Sequence, residues 1–155
     1  MIAIRHACQA LVLVVLVSPL ALAKEPARPA QAKLSFGGVE YLHRSTANGR
    51  SDFTPASQPL DNWRDRVTIV VRENVTSAAQ LSGIADNLFT TVSDLGEVVS
   101  AKSEPNPRTQ ETEHFFAARM DGNGFTQAAF ARVALVEGKG MVVVYSHRSY
   151  GEHSG

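Results

Sequence analysis

The histidines are the first residues of this chain that could do chemistry, because three converging imidazoles can hold a zinc ion. Outside the first 23 residues they are His43, His114, His147 and His153. None belongs to an H-x-H, H-x-x-E-H or H-E-x-x-H pattern, so a zinc site would need three of them to meet from separate strands. His43 and His147 are each followed by arginine, an electrostatically poor setting for a cation. The sequence predicts no metal site.

Motifs for nucleophilic catalysis and phosphate binding are also missing. There is no Gly-x-Ser-x-Gly sequence, and Ser82-Gly83 falls inside a predicted helix rather than at a strand-to-helix turn. The segment 121–124, Asp-Gly-Asn-Gly, joins two predicted strands, which indicates a hairpin turn and not a phosphate loop. Carboxylates are plentiful, but nothing places two of them ~5–10 Å apart in a cleft, as glycoside hydrolysis needs. We therefore predict a non-enzymatic protein without a cofactor.

Tyrosine and arginine occur together in two segments, 41–44 and 146–150, at predicted sheet ends or edges. These residue types are enriched in protein interfaces, where they contribute binding energy at modest entropic cost. One interpretation is a protein-binding patch, and the other is a pair of strand ends with solvated arginines. The patch would consist of Tyr41, Arg44, His147, Arg148 and Tyr150.

Trp63 is the only tryptophan. A large aromatic side chain contributes much of the burial in a small core, which favours a structural anchor at one end of the fold. Stacking on a ligand is the alternative, and it would require a groove beside the ring.

One helix is predicted for residues 76–95, because apolar side chains recur there every three or four residues. Ser77 and Gln80 have the spacing of a capping box, and Gly96 is a natural end point. The apolar stripe comprises Leu81, Ile84, Ala85, Leu88, Phe89, Val92 and Leu95.

The rest of the chain favours strands and turns. Gly37-Gly38 lies where the apolar alternation changes parity, which predicts a bulged strand, and Asn48-Gly49 predicts a type I′ hairpin. Residues 60–63 after Pro59 suggest one helical turn. The sequence predicts an α+β two-layer sandwich of about six to seven antiparallel strands with one amphipathic helix packed on the sheet. The predicted strands lie near 34–41, 51–54, 67–71, 98–102, 113–120, 125–137 and 141–146.

The N-terminus has the pattern of a signal peptide. Arg5 and His6 precede an apolar run at 10–17, Ser18-Pro19 interrupts it, and Ala-Leu-Ala at 21–23 precedes a cleavage site. The run is too short to cross ~30 Å of hydrocarbon comfortably, so no stable membrane insertion is expected after cleavage. We predict a signal peptide at 1–23 cleaved after Ala23, a flexible leader at 24–33, a single α+β domain at 34–151 and a frayed tail at 152–155.

The number of cysteines and the balance of charges indicate what class of protein this is. Cys8 is the only cysteine and lies before the apolar run, so the exported chain would lack disulfides and thiol chemistry. The chain has 15 basic and 15 acidic residues, and cleavage would remove only Arg5 from this balance. Without a basic run, a nucleic-acid partner is not expected. These features predict a periplasmic or secreted bacterial protein.

A resemblance rests on Leu60-Asp61-Asn62-Trp63, followed by Val67-Thr68, a single helix, and a hairpin that ends in Tyr145-x-x-Arg148. This pattern resembles a group of small uncharacterised proteobacterial periplasmic proteins. In element order the chain is also similar to the Mog1/PsbP-like α/β sandwich. The resemblance covers about 34–151 and implies fold and location, with no catalytic residues.

Two binding functions follow, and an enzyme ranks third. The first is an exported domain that binds another protein in the cell envelope, for instance as an immunity-type inhibitor of a secreted effector. The second is a carrier of a small apolar or amphipathic ligand between helix and sheet. For the second, the predicted cavity lining is Phe89, Phe115, Phe116, Met120 and Phe130.

Overall fold

The computed structural model describes residues 31–151, which form one eight-stranded sheet and one helix. The predicted signal peptide, most of the predicted leader and the predicted tail at 152–155 lie outside the described residues. The elements are β1 (Lys33–Phe36), β2 (Val39–Ala47), β3 (Arg50–Pro55), β4 (Asp65–Arg72), α1 (Ala78–Leu95), β5 (Glu97–Pro105), β6 (Thr112–Gly122), β7 (Phe125–Val136) and β8 (Lys139–Tyr150).

The sheet is antiparallel throughout, in the order β1-β2-β3-β4-β8-β7-β6-β5. After β4, the helix carries the chain to the far edge, and β5 to β8 return as a meander. The last strand, β8, therefore lies between β4 and β7, with Val67 opposite Tyr145 and Tyr145 opposite Phe130. The predicted α+β sandwich with one packed helix is confirmed.

The predicted strand count of six to seven was wrong, because Gly37-Gly38 is a hairpin turn and not a bulge. The two glycines have φ values of 57° and 77°, and Phe36 pairs with Val39 across them. Two consecutive positive φ angles are the geometry of a type I′ turn, which glycine adopts without steric cost. The predicted first strand is thus β1 and β2. The hairpin predicted at Asn48-Gly49 is confirmed, with φ values of 52° and 74°.

The helical turn predicted for 60–63 was also wrong, since this segment is bent and irregular. The side chain of Gln58 supplies the hydrogen bonds that a helical turn would otherwise make. Its Oε1 accepts from the amides of Arg64 and Asp65 at 2.8 and 2.7 Å. The segment is therefore held by a side chain as a loop that leads Trp63 into the core.

The helix begins and ends close to the predicted residues. Ser77 Oγ accepts from the amide of Gln80 at 3.3 Å, and Gln80 Oε1 accepts from the amide of Thr76 at 2.9 Å. The helix ends at Gly96, where a Cβ atom would overlap the carbonyl oxygen of Arg119. No helix within residues 31–151 is long and apolar enough to cross a membrane.

Each face of the sheet has its own core. On the helix side the buried residues are Val75, Leu81, Val133 and Val142. On the opposite side, Tyr41, Phe53 and Val67 form a second cluster. The sheet coils so strongly that Phe36 of β1 reaches Tyr145 of β8, with ring centroids 5.1 Å apart. The β1–β2 hairpin thereby covers part of the face that the helix leaves bare.

Candidate ligand-binding groove

A groove of about 520 Å³ opens between the helix and the sheet. It forms because α1 packs mainly on β5, β6 and β7, so that the same face of β3, β4 and β8 is covered less closely by the helix. We call it the helix–sheet groove. Its lining residues come from α1 (Ile84, Asn87, Leu88, Thr91, Val92 and Leu95), from β6 to β8 (Phe116, Ala118, Met120, Gln127, Ala129, Ala131, Val142, Val144 and Ser146), and from β3 and β4 (Arg50, Arg66, Thr68, Val70 and Arg72).

The floor of the groove consists of small side chains. Ala118 of β6 pairs with Ala129 of β7, Ala129 pairs with Ser146 of β8, and Ser146 pairs with Arg66 of β4. Three small residues thus form one line across neighbouring strands, and that line ends at an arginine. Larger residues at these positions would fill the space to normal packing density. The alanines and the serine are the direct cause of the groove.

The wall on the helix side is mainly apolar, with Asn87 and Thr91 as its polar residues. Ile84, Leu88 and Val92 are half-buried, and Leu95 at the last turn is 64% exposed. Phe116 and Met120 continue this wall on β6. These side chains lie beside the groove instead of closing onto the opposite strands, so apolar surface remains available to an occupant.

The wall on the β3–β4 side is cationic. Arg50, Arg66 and Arg72 line it, and no aspartate or glutamate is among the described residues that line the groove. The nearby carboxylate is Asp52, which accepts two hydrogen bonds of 3.0 Å from Arg50 and one of 2.6 Å from Thr68. Burial raises the pKa of Asp52, but these hydrogen bonds and the positive charges of the neighbouring arginines outweigh it and hold the pKa below its usual value.

Arg66 is the most buried of these arginines. Its side chain is 20% exposed, and its Nε lies 3.8 Å from Asp52 Oδ1, beyond hydrogen-bond distance. That Nε is buried and has no hydrogen-bond partner within residues 31–151. Burial lowers the pKa of Arg66, an effect that the charge of Asp52 opposes. Arg66 thus carries a positive charge that one distant carboxylate only partly balances.

Two residues of the predicted protein-binding patch have roles inside the fold. Tyr41 is 3% exposed and belongs to the core opposite the helix, because the coiling of the sheet covers it. Arg44 lies at a bulge of β2, where its guanidinium donates to Thr54 Oγ1 at 2.8 Å and to the carbonyls of Pro55, Ala56 and Gln58 at 2.8 to 3.2 Å. Both side chains are engaged within the domain.

The other three predicted patch residues lie together at the end of β8. His147 Nδ1 is 2.8 Å from Asp65 Oδ1, and Tyr150 donates to the carbonyl oxygen of Trp63 at 2.8 Å. Arg148 is half-buried and donates to Gln127 Oε1 at 2.9 Å. His147 and Tyr150 remain exposed and adjacent to the loop that contains Trp63.

Trp63 is 2% exposed, a degree of burial that suits a structural anchor. The guanidinium groups of Arg66 and Arg148 lie 4.1 and 4.0 Å from its ring centroid. The indole links the cationic wall of the groove to the end of β8.

The predicted cavity lining is correct for two of its five residues. Phe116 and Met120 line the groove, and Phe89 lies on the exposed flank of α1 with its ring 6.2 Å from that of Phe116. Phe115 and Phe130 project from the opposite face, because successive strand residues alternate in direction. These two line a shallower depression of about 240 Å³ on that face.

The three described histidines that were considered as metal ligands lie apart. His43 contacts Thr46 Oγ1 at 2.7 Å, His114 contacts Ser103 Oγ at 2.8 Å, and His147 contacts Asp65. His153 is outside the described residues. Within 31–151, no group of three histidine, aspartate or glutamate side chains has metal-binding geometry.

Sequence reasoning missed the arginine wall and the alanine floor. Arg66, Thr68, Val70 and Arg72 share one parity of β4, a visible sign that one face of this strand is partly polar. The alanines at 118, 129 and 131 were visible too. Their significance depends on which strands become neighbours, and only the topology gives that.

No protein-family model and no curated protein matches this chain. Among solved structures, the chain is similar to the Ran-binding protein Mog1p of Saccharomyces cerevisiae, with 8% identity over 77% of this chain and 79% of that chain, and a TM-score of 0.42. A point mutant of protein Mog1 matches with 8% identity over 80% of each chain and a TM-score of 0.43. These matches to Mog1 agree with the resemblance to the Mog1/PsbP-like sandwich that the sequence predicts.

Proposed function

We propose that this protein is a non-enzymatic carrier that holds a small apolar or amphipathic molecule in the helix–sheet groove. One observation supports this most strongly: an apolar helix wall faces a floor of alanine and serine across an open volume of about 520 Å³. Small-molecule sites have volumes of roughly 300–1,000 Å³ and are lined mainly by apolar side chains. The groove meets both conditions.

The exposed apolar residues of the helix support an occupant. Leu95 and Phe89 are 64% and 42% exposed on the flank of α1 beside the groove. A bound alkyl chain or ring would remove part of this surface from water, at a gain of about 25 cal/mol for each Å².

A variant that fills the groove tests the proposal. Ala129→Leu adds methyl groups to the floor, whereas Ala128→Leu makes the same change one residue away on the opposite face. The affinity of the full chain for a hydrophobic fluorescent dye is measured in both variants. We expect Ala129→Leu to weaken dye binding at least about fivefold, a loss of about 1 kcal/mol, because the leucine side chain would occupy space that the dye needs, and Ala128→Leu to leave it near the wild-type value. Equal dye affinities in the two variants would overturn the groove as the binding site.

Protein binding is the second candidate function, and the end of β8 favours it. His147, which contacts Asp65, and Tyr150, which contacts the backbone of Trp63, are both exposed near the end of β8. An exposed histidine and an exposed tyrosine near the end of one strand suit a partner in the cell envelope, including a secreted effector that an immunity-type inhibitor would neutralise.

Affinity capture from envelope and secreted fractions tests this second function, with His147→Ala as the patch variant and His43→Ala as the matched control. We choose His147 for substitution and not Arg148, because Arg148 stacks on the Trp63 and Phe125 rings and its loss would also affect the fold. A protein captured by the wild type and by His43→Ala, but lost with His147→Ala, would support the patch. A partner retained by all three would place the contact elsewhere.

Export to the periplasm or beyond is part of the proposal and rests on the N-terminal pattern. Fractionation of cells that express the full chain should give a periplasmic or secreted protein whose first residue is Lys24. A chain that keeps Met1 and stays in the cytoplasm would contradict export.

A further inference from the structure

We propose that the ligand of the helix–sheet groove is a long-chain carboxylate whose head group binds Arg66 and whose alkyl chain lies along the alanine floor. This inference rests on the proposed carrier function and deepens it by naming the charge and the orientation of the ligand. It follows from the position of one arginine relative to the line of small residues that crosses the sheet.

The head-group position follows from burial and from the hydrogen bonds that the arginines already make. Arg72 is exposed and pairs with Gly140 at the other end of β4, away from the line of small residues. Arg50 is engaged by both oxygens of Asp52 at 3.0 Å, so it has little left to offer a second carboxylate. By contrast, Arg66 Nε lies 3.8 Å from Asp52 Oδ1, too far for a hydrogen bond. This Nε is buried without a hydrogen-bond partner within the described residues. A planar guanidinium with unused donors matches the two oxygens of a carboxylate in a fork-like pair.

The charge of the ligand follows from the charge of the wall. Three arginines line the groove, whereas the described lining residues include no carboxylate, and Asp52 beside the wall offsets one positive charge. A neutral ligand would cover the guanidinium of Arg66 and remove its charge from water without supplying an anion, which is unfavourable. An anion supplies the missing partner at the point where the cation is most sheltered from water.

The path of the chain follows from the strand register. From Arg66, the line Ser146, Ala129, Ala118 crosses β8, β7 and β6 toward the apolar helix wall. An alkyl chain on this floor would contact Leu88 and Val92 from the side and approach Met120. Each methylene that leaves water should raise the affinity about fourfold, until the chain outgrows the groove.

Paired ligands of equal chain length test the inference in the full-length protein. Binding of dodecanoate and of dodecanol is measured by displacement of the hydrophobic dye, below the concentrations at which they form micelles. We expect dodecanoate to bind at least about tenfold more tightly, because a hydrogen bond to a charged group contributes more than a neutral one. Arg66→Gln should reduce this preference to near one. Arg119→Gln, an exposed arginine outside the groove, should leave it unchanged.

The outcomes separate the two proposals. Equal binding of acid and alcohol by the wild type would overturn the carboxylate inference and leave the carrier function in place. A preference for the acid that survives in folded Arg66→Gln would remove Arg66 as the head-group site. Failure of both ligands to displace the dye, together with equal dye affinities of Ala129→Leu and Ala128→Leu, would overturn the carrier function as well. If Arg66→Gln does not fold, the wild-type comparison of acid and alcohol decides the charge of the ligand.

Discussion

The guanidinium carbon of Arg148 lies 4.0 Å from the centroid of the Trp63 ring. Arg66 lies 4.1 Å from the same centroid, so two guanidinium groups stack on one indole ring. Arg148 also lies 4.1 Å from the Phe125 centroid. The loop that contains Trp63 is thereby fixed to β4, to β8 and to the start of β7.

Replacement of Arg148 should destabilise the domain. Arg148→Ala removes the stacking on two aromatic rings and the hydrogen bond to Gln127, and we expect a loss of about 1–3 kcal/mol in the free energy of unfolding. Urea denaturation measures the loss, with Arg119→Ala as an exposed control on β6. An equal, small effect in both variants would show that the stacking contributes nothing.

Two glycines at α1 should respond in opposite directions to alanine. At Gly96 a Cβ would overlap the carbonyl oxygen of Arg119 and lie 2.8 Å from Met120 Cγ, so Gly96→Ala should cost about 2 kcal/mol. At Gly83, inside the helix, a Cβ meets nothing within 4 Å, and Gly83→Ala should stabilise by about 0.5–1 kcal/mol. Thermal unfolding of the two variants gives the comparison. A Gly96→Ala variant that is more stable than the wild type would contradict the close approach of β6 to Gly96 at the end of α1.

Acid should weaken the fold partly through Asp65. Burial raises the pKa of Asp65, but hydrogen bonds from Gln58, His147 and Tyr145 outweigh it and hold the pKa below its ordinary value of 3.8. A carboxyl with a lowered pKa in the folded state stabilises above its unfolded pKa, and this contribution is lost as the pH falls through the folded pKa.

The free energy of unfolding should therefore drop as the pH goes from 5 to below about 3.8, and less steeply in Asp65→Asn than in the wild type. Urea titrations at several pH values measure both slopes, with Asp61→Asn as a control for an exposed carboxylate of the same loop. Parallel slopes for wild type and Asp65→Asn would exclude Asp65 as a source of acid sensitivity.

Replacement of one partner of the Glu113–Arg132 ion pair should lower the free energy of unfolding. Glu113 is 6% exposed and accepts from Arg132 at 2.8 and 2.6 Å and from Asn106 at 2.6 Å. Hydrogen bonds from Arg132 lower the pKa of Glu113, and removal of Arg132 takes this support away and leaves a buried carboxyl group without its cation. We expect Arg132→Ala to cost about 2 kcal/mol, less than a fully buried pair because Arg132 is half exposed.

A double variant checks the origin of that cost. Adding Glu113→Gln to Arg132→Ala removes the unpaired charge, so the double variant should be more stable than the sum of the two single losses predicts. Additive losses would mean that the two side chains do not interact in the folded state.

Local signals were sufficient for the helix and for part of the turn chemistry. The cap at Ser77, the stripe from Leu81 to Leu95 and the Asn48-Gly49 turn all depend on neighbours within a few residues. The structure at Gly37-Gly38 was harder to predict. A glycine pair where the apolar alternation changes parity is compatible with a bulge and also with a reversal of the chain. Whether the chain reverses there depends on β2 pairing with β1, a longer-range fact.

The groove could not be predicted from local signals. The sequence shows that α1 has an apolar face, but it does not show which half of the sheet that face covers. For the same reason, it did not reveal that Phe116 would face the helix and Phe115 the other side. Tyr41 could have been an edge residue or a core residue, and the coiling of the sheet decided the matter.

The insertion of β8 between β4 and β7 has a consequence for how the protein is made. Strands β1 to β4 and strands β5 to β7 are two separate ladders, and β8 alone joins them by hydrogen bonds along its length. A chain that emerges from the ribosome N-terminus first cannot close this sheet until its last strand has been synthesised. Contacts between residues this far apart in sequence raise the contact order and slow folding. Closure of the sheet is thereby postponed until β8 has been synthesised, and loss of β8 would leave two unjoined halves.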